Sequence, residues 1–384
     1  MKNILIFGSF SVRDWELNRQ RQQTLVDFLV KDFNVFYIER INPKTVGIRV
    51  IVKAFIKRLI SVRNIKKSLT NEKRLHFIQL IIFPFQKGIF RFINSKLVFF
   101  QIKKIMRKYK IEYFDSIIVS HPASYVNDIF NKIPAKKKIY DCVQRFEFNR
   151  NYPAETSRND KNIAEKVDLV IADSITIFNE KMKLNKNIVR IPQGIDIENY
   201  DRNRIKDAVI PGDLMNIGNY RICYIGGFHQ CFDFDLVRKL AKDIHEGTVV
   251  LIGRETPEAK KKLNLNNIVF LGWKHYTVLP IYMRHMDVFI IPYLLNERGK
   301  GVFPTKLFEY LYFRKPVVST ALPDILEYNE YVCVAHTDEE FVKLVKDSLY
   351  KGENKLGSID RGLFDQFMKN NSWESRYKEF KKHL

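Results

Sequence analysis

Few cysteines and no recognisable metal-binding spacing occur in this sequence of 384 residues. The four cysteines form no CxxC pair, and no HExxH pattern is present. Secreted disulfide scaffolds and zinc sites depend on such spacings, so both classes of protein are excluded. We expect buried thiols in a reducing compartment and no metal site. The Asp-x-Asp at Asp233 and Asp235 is expected to serve a helix N-terminus instead.

Long apolar runs are also missing. Nowhere do roughly 18 uncharged apolar residues follow one another, which is the length that a bilayer-spanning helix requires. The first ten residues, MKNILIFGSF, contain an apolar run that is too short for a signal peptide and typical of a first β-strand. These absences predict a cytoplasmic protein without a membrane span.

Acidic residues are nearly absent from one stretch of the chain, residues 44–110. This stretch contains 18 lysine and arginine residues but a single acidic residue, Glu72, whereas the whole chain carries a formal net charge of +22. A generally basic protein would spread its charge, and this one concentrates it in one region. The expected partner is therefore anionic, either a membrane surface or a nucleic acid.

Large apolar side chains lie among these basic residues, which favours the membrane surface. From Ile48 to Val62 apolar residues follow helical spacing, while Arg49, Lys53 and Lys57 lie on another face. Such a helix can lie in a lipid interface. Phenylalanines follow among further lysines and arginines at Phe83, Phe85, Phe90, Phe92, Phe99 and Phe100. The alternative is that the apolar residues pack on the protein's own sheet and that the lysines are merely solvated.

Nucleic acid is not expected as the partner. No RNP-type aromatic motif, zinc finger or helix-turn-helix pattern accompanies the charge. We therefore expect peripheral association with the anionic inner face of the cell membrane through residues 44–110.

Short β-like runs alternate with helical patterns along the chain, which is typical of parallel α/β units. The first set of predicted strands is 3–8, 34–38, 116–120, 138–141, 169–172 and 188–191. The second set is 221–225, 248–252, 268–271, 288–292, 316–319 and 332–335. Two such sets predict an α/β protein with two Rossmann-like, doubly wound domains that face each other across a cleft. We place them at 1–200 and 201–365, with a C-terminal helix in 366–384 that packs back on the first domain.

The strongest local signal is the run Pro304-Thr305-Lys306-Leu307-Phe308-Glu309-Tyr310. It predicts a loop entering a helix with Lys306 and Glu309 on one face, because residues three apart project together. A helix N-terminus with an added ammonium favours a diphosphate, and a carboxylate one turn on can accept hydrogen bonds from ribose hydroxyls. The alternative is an ordinary ion pair on a surface helix.

The longer run FPTKLFEYLYFRKPVVST resembles the C-terminal signature of retaining-type GT-B glycosyltransferases, especially bacterial exopolysaccharide and teichuronic-acid-type transferases of group 1. The resemblance continues through most of the chain. It includes Asp14-Trp15 with 18–23, Tyr140-Asp141, Asp168-Leu169-Val170 with Ser174, 192–196, Tyr224-Ile225-Gly226-Gly227, Gly272-Trp273-Lys274 and Asp287-Val288. Each match is short, and their shared order makes the resemblance specific.

The resemblance implies roles for residues of the second half. Gly226 and Gly227 would form a tight turn where backbone approaches the donor diphosphate. Lys306 would stabilise the leaving nucleotide diphosphate, and Glu309 would contact the ribose. The other residues expected to frame the nucleotide sugar are Arg254, Trp273, Lys274, Pro304 and Thr305. For Arg254 and Trp273 an ordinary strand-end turn is the alternative. GT-B enzymes generally need no metal, so the resemblance implies no cofactor beside the nucleotide-sugar co-substrate.

Two positions depart from the family pattern. Gly301 stands eight residues before Glu309, where many relatives have a further glutamate, and Gln144 stands where a second aspartate is expected. The candidate catalytic residues are therefore Asp141 and His121, as possible bases beside Glu147, and Lys306. A retaining and an inverting outcome both stay open.

These features predict transfer of a sugar from a nucleotide sugar, expected to be UDP-linked, to a saccharide or lipid-linked oligosaccharide acceptor in bacterial surface polysaccharide synthesis. The first domain would bind the acceptor and the second the donor. One alternative is a sugar-nucleotide epimerase of the same architecture. Another is a catalytically inactive binding protein, which Gly301 and Gln144 motivate.

Overall fold

The computed structural model describes residues 1–11, 15, 19–40, 74–83, 88–150, 152–201, 205, 208–218 and 220–384. The predicted helix with Arg49, Lys53 and Lys57 lies outside these residues, as do Phe85 and Lys87. Within them, strands and helices alternate around two parallel sheets.

The first sheet has seven parallel strands. They are β1 (Asn3–Phe7), β2 (Asn34–Ile38), β3 (Leu75–Ile78), β4 (Phe114–Val119), β5 (Ala135–Cys142), β6 (Leu169–Ala172) and β7 (Ile188–Arg190). The helices along this part of the chain are α1 (Arg21–Asp32), α2 (Ile89–Lys108), α3 (Ser124–Ile129), α4 (Ala154–Lys166) and α5 (Ile175–Lys181). The strand order is β3-β2-β1-β4-β5-β6-β7, so the winding reverses between β1 and β4.

The second sheet has six parallel strands. They are β8 (Arg221–Ile225), β9 (Thr248–Ile252), β10 (Ile268–Gly272), β11 (Val288–Ile291), β12 (Val317–Thr320) and β13 (Cys333–Ala335). The helices here are α6 (Gly212–Met215), α7 (Phe234–Asp243), α8 (Pro257–Lys262), α9 (Leu279–Arg284), α10 (Glu297–Lys300), α11 (Leu307–Tyr312), α12 (Pro323–Leu326), α13 (Asp338–Tyr350), α14 (Arg361–Asn370) and α15 (Trp373–Lys381). The strand order is β10-β9-β8-β11-β12-β13, which reverses between β8 and β11.

Both sheets form from near-continuous apolar strands, the pattern of parallel sheets that are covered on both faces. β1 and β8 are central in their sheets, and each is buried after its first residue. Each sheet lies in a hydrophobic core of its own. The chain is therefore a two-domain α/β protein, as predicted.

The chain divides into two compact units. Unit 1 comprises Met1–Asp173, Ile177–Ile191 and Tyr377–Leu384. Unit 2 comprises Ser174–Thr176 and Pro192–Arg376. The C-terminal residues of unit 1 contact its helix α1, where Tyr377 donates a hydrogen bond to Asp32 at 2.5 Å and its ring stacks on Phe28.

Every predicted strand coincides with a strand of the structure, and the predicted helical range 366–384 contains the end of α14 and all of α15. The strand β3 was missed; it lies at the edge of its sheet, and all four of its residues are only partly buried. All four cysteines are buried and free, as predicted. No helix among the described residues has both the length and the apolar character needed to cross a membrane.

Candidate functional site

The candidate site lies where the second sheet reverses its winding. β8 and β11 are neighbours. The strands that follow β8 in the chain, β9 and β10, lie on one side of this pair, and those that follow β11, β12 and β13, lie on the other. Ligands of doubly wound sheets bind beyond the carboxyl ends of the strands at such a point. Gly226 follows β8 there, and Tyr293 comes shortly after β11. Lys306, the residue before α11, reaches both of them.

Lys306 is a buried lysine without a carboxylate partner. Its Nζ donates a hydrogen bond to the hydroxyl of Tyr293 at 2.5 Å and lies 4.4 Å from the ring centroid of Tyr224. The side chain is only 7% exposed, and it forms no ion pair with any residue that the structure describes. A buried cation is stable only when it is paired or solvated by other groups. One hydroxyl and aromatic faces leave donor capacity on this ammonium, so the position favours an incoming anion.

Glycine is required beside this ammonium. Gly226 has φ of +149°, in the region that favours glycine. A Cβ at this position would lie 2.8 Å from the Nζ of Lys306. The next strand-end turn is equally close, since a Cβ at Gly253 would lie 2.0 Å from the carbonyl oxygen of Gly226. The backbones of the two glycine turns therefore pack directly on each other next to Lys306.

Glu309 lies in the first turn of α11, whereas the sequence pattern placed Lys306 in that turn and Glu309 one turn on. Its carboxylate accepts a hydrogen bond from the hydroxyl of Tyr200. Although the residue keeps part of its surface exposed, the burial of its carboxyl group raises the pKa of Glu309 to about 7. The Tyr200 hydrogen bond and the charge of Lys306 act in the opposite direction, and Asp196 adds to the rise. Near neutral pH, Glu309 is therefore partly protonated and able to donate a hydrogen bond, and partly ionised and able only to accept one.

The remaining predicted donor-site residues are less closely connected to Lys306. Arg254, Trp273 and Thr305 are exposed, and Pro304 is buried. Lys274 forms an ion pair with Asp213 at 2.6 Å, and the hydroxyl of Tyr282 also donates to this carboxylate, at 2.9 Å. This pairing favours a structural part for Lys274.

Three residues of the site were missed by sequence reasoning: Tyr293, His229 and Arg298. Burial, followed by the positive charges of Lys306 and Arg298, lowers the pKa of His229 to about 4. His229 therefore adds no positive charge near neutral pH, although a bound anion would favour its protonation. The signal was its place two residues after Gly227 in the turn that follows β8.

In unit 1, the candidate base Asp141 is engaged in a buried ion pair. The Nη2 of Arg21 lies 2.9 Å from one carboxylate oxygen of Asp141, and the Nε lies 3.1 Å from the same oxygen. The same guanidinium donates to the carbonyl of Ile191 at 2.8 Å. Both carboxylate oxygens are thus engaged by a buried guanidinium, so the geometry favours a structural part for Asp141.

His121 follows β4, at the point where the first sheet reverses its winding. It is 8% exposed and packs against the rings of Phe146 and Tyr152. Burial, followed by the charge of Arg40, lowers the pKa of His121 to about 3. The imidazole is therefore neutral at physiological pH, and it is able to accept a proton only weakly. Glu147, the third candidate, pairs with Lys161 at 3.3 Å on the surface.

The positions that depart from the family pattern have simple surroundings. The carbonyl of Gly301 accepts a hydrogen bond from the hydroxyl of Ser174 at 3.3 Å. The side-chain oxygen of Gln144 is buried and has no hydrogen-bond partner in the described structure.

Asp233 caps the N-terminus of α7 by accepting from the backbone N–H of Asp235 and Leu236, which confirms the prediction that this Asp-x-Asp serves a helix N-terminus. Among the described residues, no three His, Cys, Asp or Glu side chains cluster as a metal site would require.

Part of this chain matches known proteins in sequence. Residues 219–349 match the sequence model described as glycosyl transferases group 1. TuaH of Bacillus subtilis (strain 168), provisionally described as a teichuronic acid biosynthesis glycosyltransferase, is 27% identical over 202 residues. That alignment covers 48% of this chain and 50% of TuaH, so about half of the relative's length is spanned.

Solved structures share the fold over the whole chain. Sucrose-phosphate synthase from Thermosynechococcus elongatus has a TM-score of 0.71 at 13% identity, covering 100% of this chain and 98% of the other. HepE of Anabaena, solved in complex with UDP-glucose, has a TM-score of 0.67 at 14% identity, covering 100% and 99%. At such identities the likeness shows the GT-B fold.

Proposed function

We propose that this chain, a GT-B protein whose residues 219–349 match the group 1 glycosyl transferases, moves a sugar from a nucleotide sugar to a saccharide or lipid-linked oligosaccharide acceptor. The observation that carries the proposal is the buried ammonium of Lys306, which has no carboxylate partner in the described structure and lies beside the glycine turn after β8. A donor diphosphate supplies the negative charge that this position favours.

Lys306 also explains how the reaction is promoted. When the bond between the anomeric carbon and the diphosphate breaks, negative charge grows on the leaving phosphate oxygen. A fixed ammonium in a site with little water stabilises this charge more in the transition state than in the bound donor. Glu309, three residues after Lys306 in the first turn of α11, accepts hydrogen bonds from the ribose hydroxyls.

A uridine nucleotide is the donor we propose. HepE, which shares the fold, was solved with UDP-glucose, and TuaH is linked by its description to a surface polymer. These relatives support a UDP-linked sugar and a role in bacterial surface polysaccharide synthesis. The acceptor is assigned to unit 1. Asp141 is engaged there by Arg21, and His121 is a weak base, so neither is favoured as the proton acceptor. The departing phosphate itself is another candidate for that role.

We also propose peripheral association with the anionic inner face of the cell membrane. The excess of lysine and arginine in residues 44–110 supports this location, because anionic lipids attract such stretches. A lipid-linked acceptor would be found at the same surface.

The test is a donor screen by thermal shift, followed by measurement of nucleotide release. Binding of the correct donor raises the melting temperature with the logarithm of its concentration. Slow UDP release from that donor, accelerated by an acceptor extract, supports transfer. Interconversion of the donor sugar with no release would identify an epimerase, and stabilisation with no turnover would identify a binding protein.

A further inference from the structure

The helix α2 carries large apolar side chains on the side that faces away from its own sheet. Its inward stripe is buried and includes Val98, Ile102 and Met106, which belong to the core of unit 1. The outward side nevertheless leaves Ile89 70%, Phe92 59% and Phe100 63% exposed. The alternative that the apolar residues of this stretch all pack inward therefore does not hold for α2.

The segment before α2 adds to this surface. The side chain of Asn94 exchanges two hydrogen bonds with the backbone of Phe83, at 2.7 and 3.0 Å. Gln101 does the same with the backbone of Ile81, at 3.0 and 2.8 Å. These paired amides fix residues 81–83 alongside α2, and Ile81 and Phe83 each remain 47% exposed. The apolar surface is thus built into the fold.

Positively charged side chains lie among these exposed apolar side chains. Lys96, Lys104 and Arg107 share the outward side of α2, and the ammonium of Lys96 lies 4.3 Å from the ring centroid of Phe92. None of these three cations forms an ion pair within the described ranges. The sequence contains no acidic residue between Lys73 and Ile111.

A recess opens at the C-terminal end of α2. It has a volume of about 660 Å³ and is lined by apolar and cationic side chains and one carboxylate: Phe99, Phe100, Lys103, Met106, Arg107, Lys110, Ile111 and Glu112. Lys110 has φ of 54°, a conformation that lysine adopts at a cost and that glycine usually takes after a helix. A recess lined by both cationic and apolar side chains fits an amphiphile with an anionic head.

We propose that this surface, which we call the α2 face (residues 81–83 and 89–110), docks on an anionic bilayer. Its aromatic and aliphatic side chains enter the lipid interface, the lysines and arginine lie at the level of the headgroup phosphates, and the recess receives the phosphate of one anionic phospholipid. Charge of one sign with exposed Ile and Phe and few hydrogen-bonding groups fits lipid better than nucleic acid, whose bases require hydrogen-bonding partners. This inference rests on the membrane association proposed above and assigns it to a defined surface. The apolar side chains add a part of the binding that high salt does not remove.

The experiment is co-sedimentation of the full chain with vesicles in the absence of any donor. Vesicles of phosphatidylcholine alone are compared with vesicles that also contain phosphatidylglycerol. We expect binding to the anionic vesicles that persists in part at about 0.5 M salt, where charge screening acts within roughly 5 Å. The double variant Phe92→Ser/Phe100→Ser should bind at least about tenfold more weakly and lose the salt-resistant part.

A second variant tests the cations, and matched variants in unit 2 serve as controls. Lys103→Gln/Arg107→Gln/Lys110→Gln should lose the preference for phosphatidylglycerol. Leu363→Ser, which removes a side chain that is 71% exposed on α14, and Lys343→Gln on α13 should bind like the unaltered chain. Ile89→Ser gives an independent measurement if the double variant melts early.

The outcomes separate this proposal from the proposed function. Unchanged sedimentation of the aromatic and cation variants overturns the α2 face as the docking surface. Retention on single-stranded RNA that vesicles do not displace would assign the face to nucleic acid instead. Loss of vesicle binding with intact UDP release leaves the enzymatic proposal standing, whereas vesicle binding by a chain that never releases UDP leaves only the α2 face.

Discussion

The Nζ of Lys306 lies 2.5 Å from the hydroxyl oxygen of Tyr293. Lys306→Ala removes the cation and should lower UDP release by about 10²- to 10³-fold, as expected for loss of a group that stabilises transition-state charge. The control is Lys300→Ala, which removes an exposed lysine paired only with Glu297 and should keep full activity. Equal turnover of the two variants would remove Lys306 from the mechanism.

Tyr293→Phe separates the position of the lysine from its charge. The ring over which Lys306 lies is kept, and only the hydroxyl is lost. We expect the rate of UDP release to fall about tenfold or less, with little change in the melting temperature, because the ammonium is less well placed. The measurement is kcat and KM for the donor, and a change in KM alone would argue against a positioning role.

Glu309 should make stability depend on pH in an unusual direction. Burial raises its pKa in the folded chain to about 7, above the ordinary value of 4.5. The folded chain then holds a proton that the unfolded chain has released, so the stabilisation present below pH 4.5 is lost as pH rises to about 7. Melting temperatures of the unaltered chain and of Glu309→Gln should diverge over this window, with the variant the less sensitive to pH.

Glu309→Ala also tests the ribose contact. Loss of hydrogen bonds to a charged or partly charged carboxyl group should weaken donor binding by about 10- to 100-fold. Tyr200→Phe is the companion variant, because it removes the hydroxyl that Glu309 accepts from without touching the carboxyl group. A smaller effect on donor affinity is expected there. Isothermal titration with UDP provides the comparison.

Gly226→Ala should disable the site by straining the turn after β8 and displacing Lys306. The new Cβ would lie 2.8 Å from the Nζ of Lys306, on a backbone with φ of +149°. We expect a lower melting temperature and loss of donor binding. Gly218→Ala is the matched control, since a Cβ at Gly218 would meet nothing within 4 Å. Normal donor binding by the Gly226 variant would show that the turn tolerates a side chain.

Asp141 can be tested as a structural residue or as a base. If its carboxylate serves the Arg21 pair, Asp141→Ala should lower the free energy of unfolding by about 3–5 kcal/mol, because a buried guanidinium loses its partner. Replacing both residues, as Arg21→Met/Asp141→Leu, should restore part of this loss. Urea unfolding measures both variants. A stable Asp141→Ala variant that cannot transfer sugar would instead identify the base.

Lys274 stays a predicted donor contact, and its ion pair offers a clean test. Asp213→Asn breaks the same pair from the other side. If Lys274 is only structural, Lys274→Ala and Asp213→Asn should give similar small losses of stability, of about 1 kcal/mol or less, and neither should change UDP affinity. Weaker UDP binding by the lysine variant alone would restore its place in the donor site.

The fold could be predicted from the sequence because buried parallel strands consist of short apolar runs of residues. Leu169–Ala172 and Val288–Ile291, for example, are apolar throughout and lie inside their sheets. The strand Leu75–Ile78 escaped detection because it lies at the edge of its sheet and is only partly buried. Edge strands carry a weaker apolar signal.

The site was accessible only in part, since spacing shows neighbours along a helix but not partners across a fold. Lys306 and Glu309 could be placed because they share one turn. Lys306 donates a hydrogen bond to the hydroxyl of Tyr293, and Arg21 donates one to Asp141. No local sequence pattern relates the two residues of either pair. Side chains selected for a tertiary contact leave no periodic signature.

The contact between the turns after β8 and β9 limits how this protein can be re-engineered. Because a Cβ at Gly253 would overlap the carbonyl of Gly226, neither turn can change sequence or shift without the other. Attempts to broaden the range of sugars accepted should therefore leave this backbone untouched. Variation is better directed at neighbouring side chains such as His229 and Arg298, which affect the electrostatics of the site.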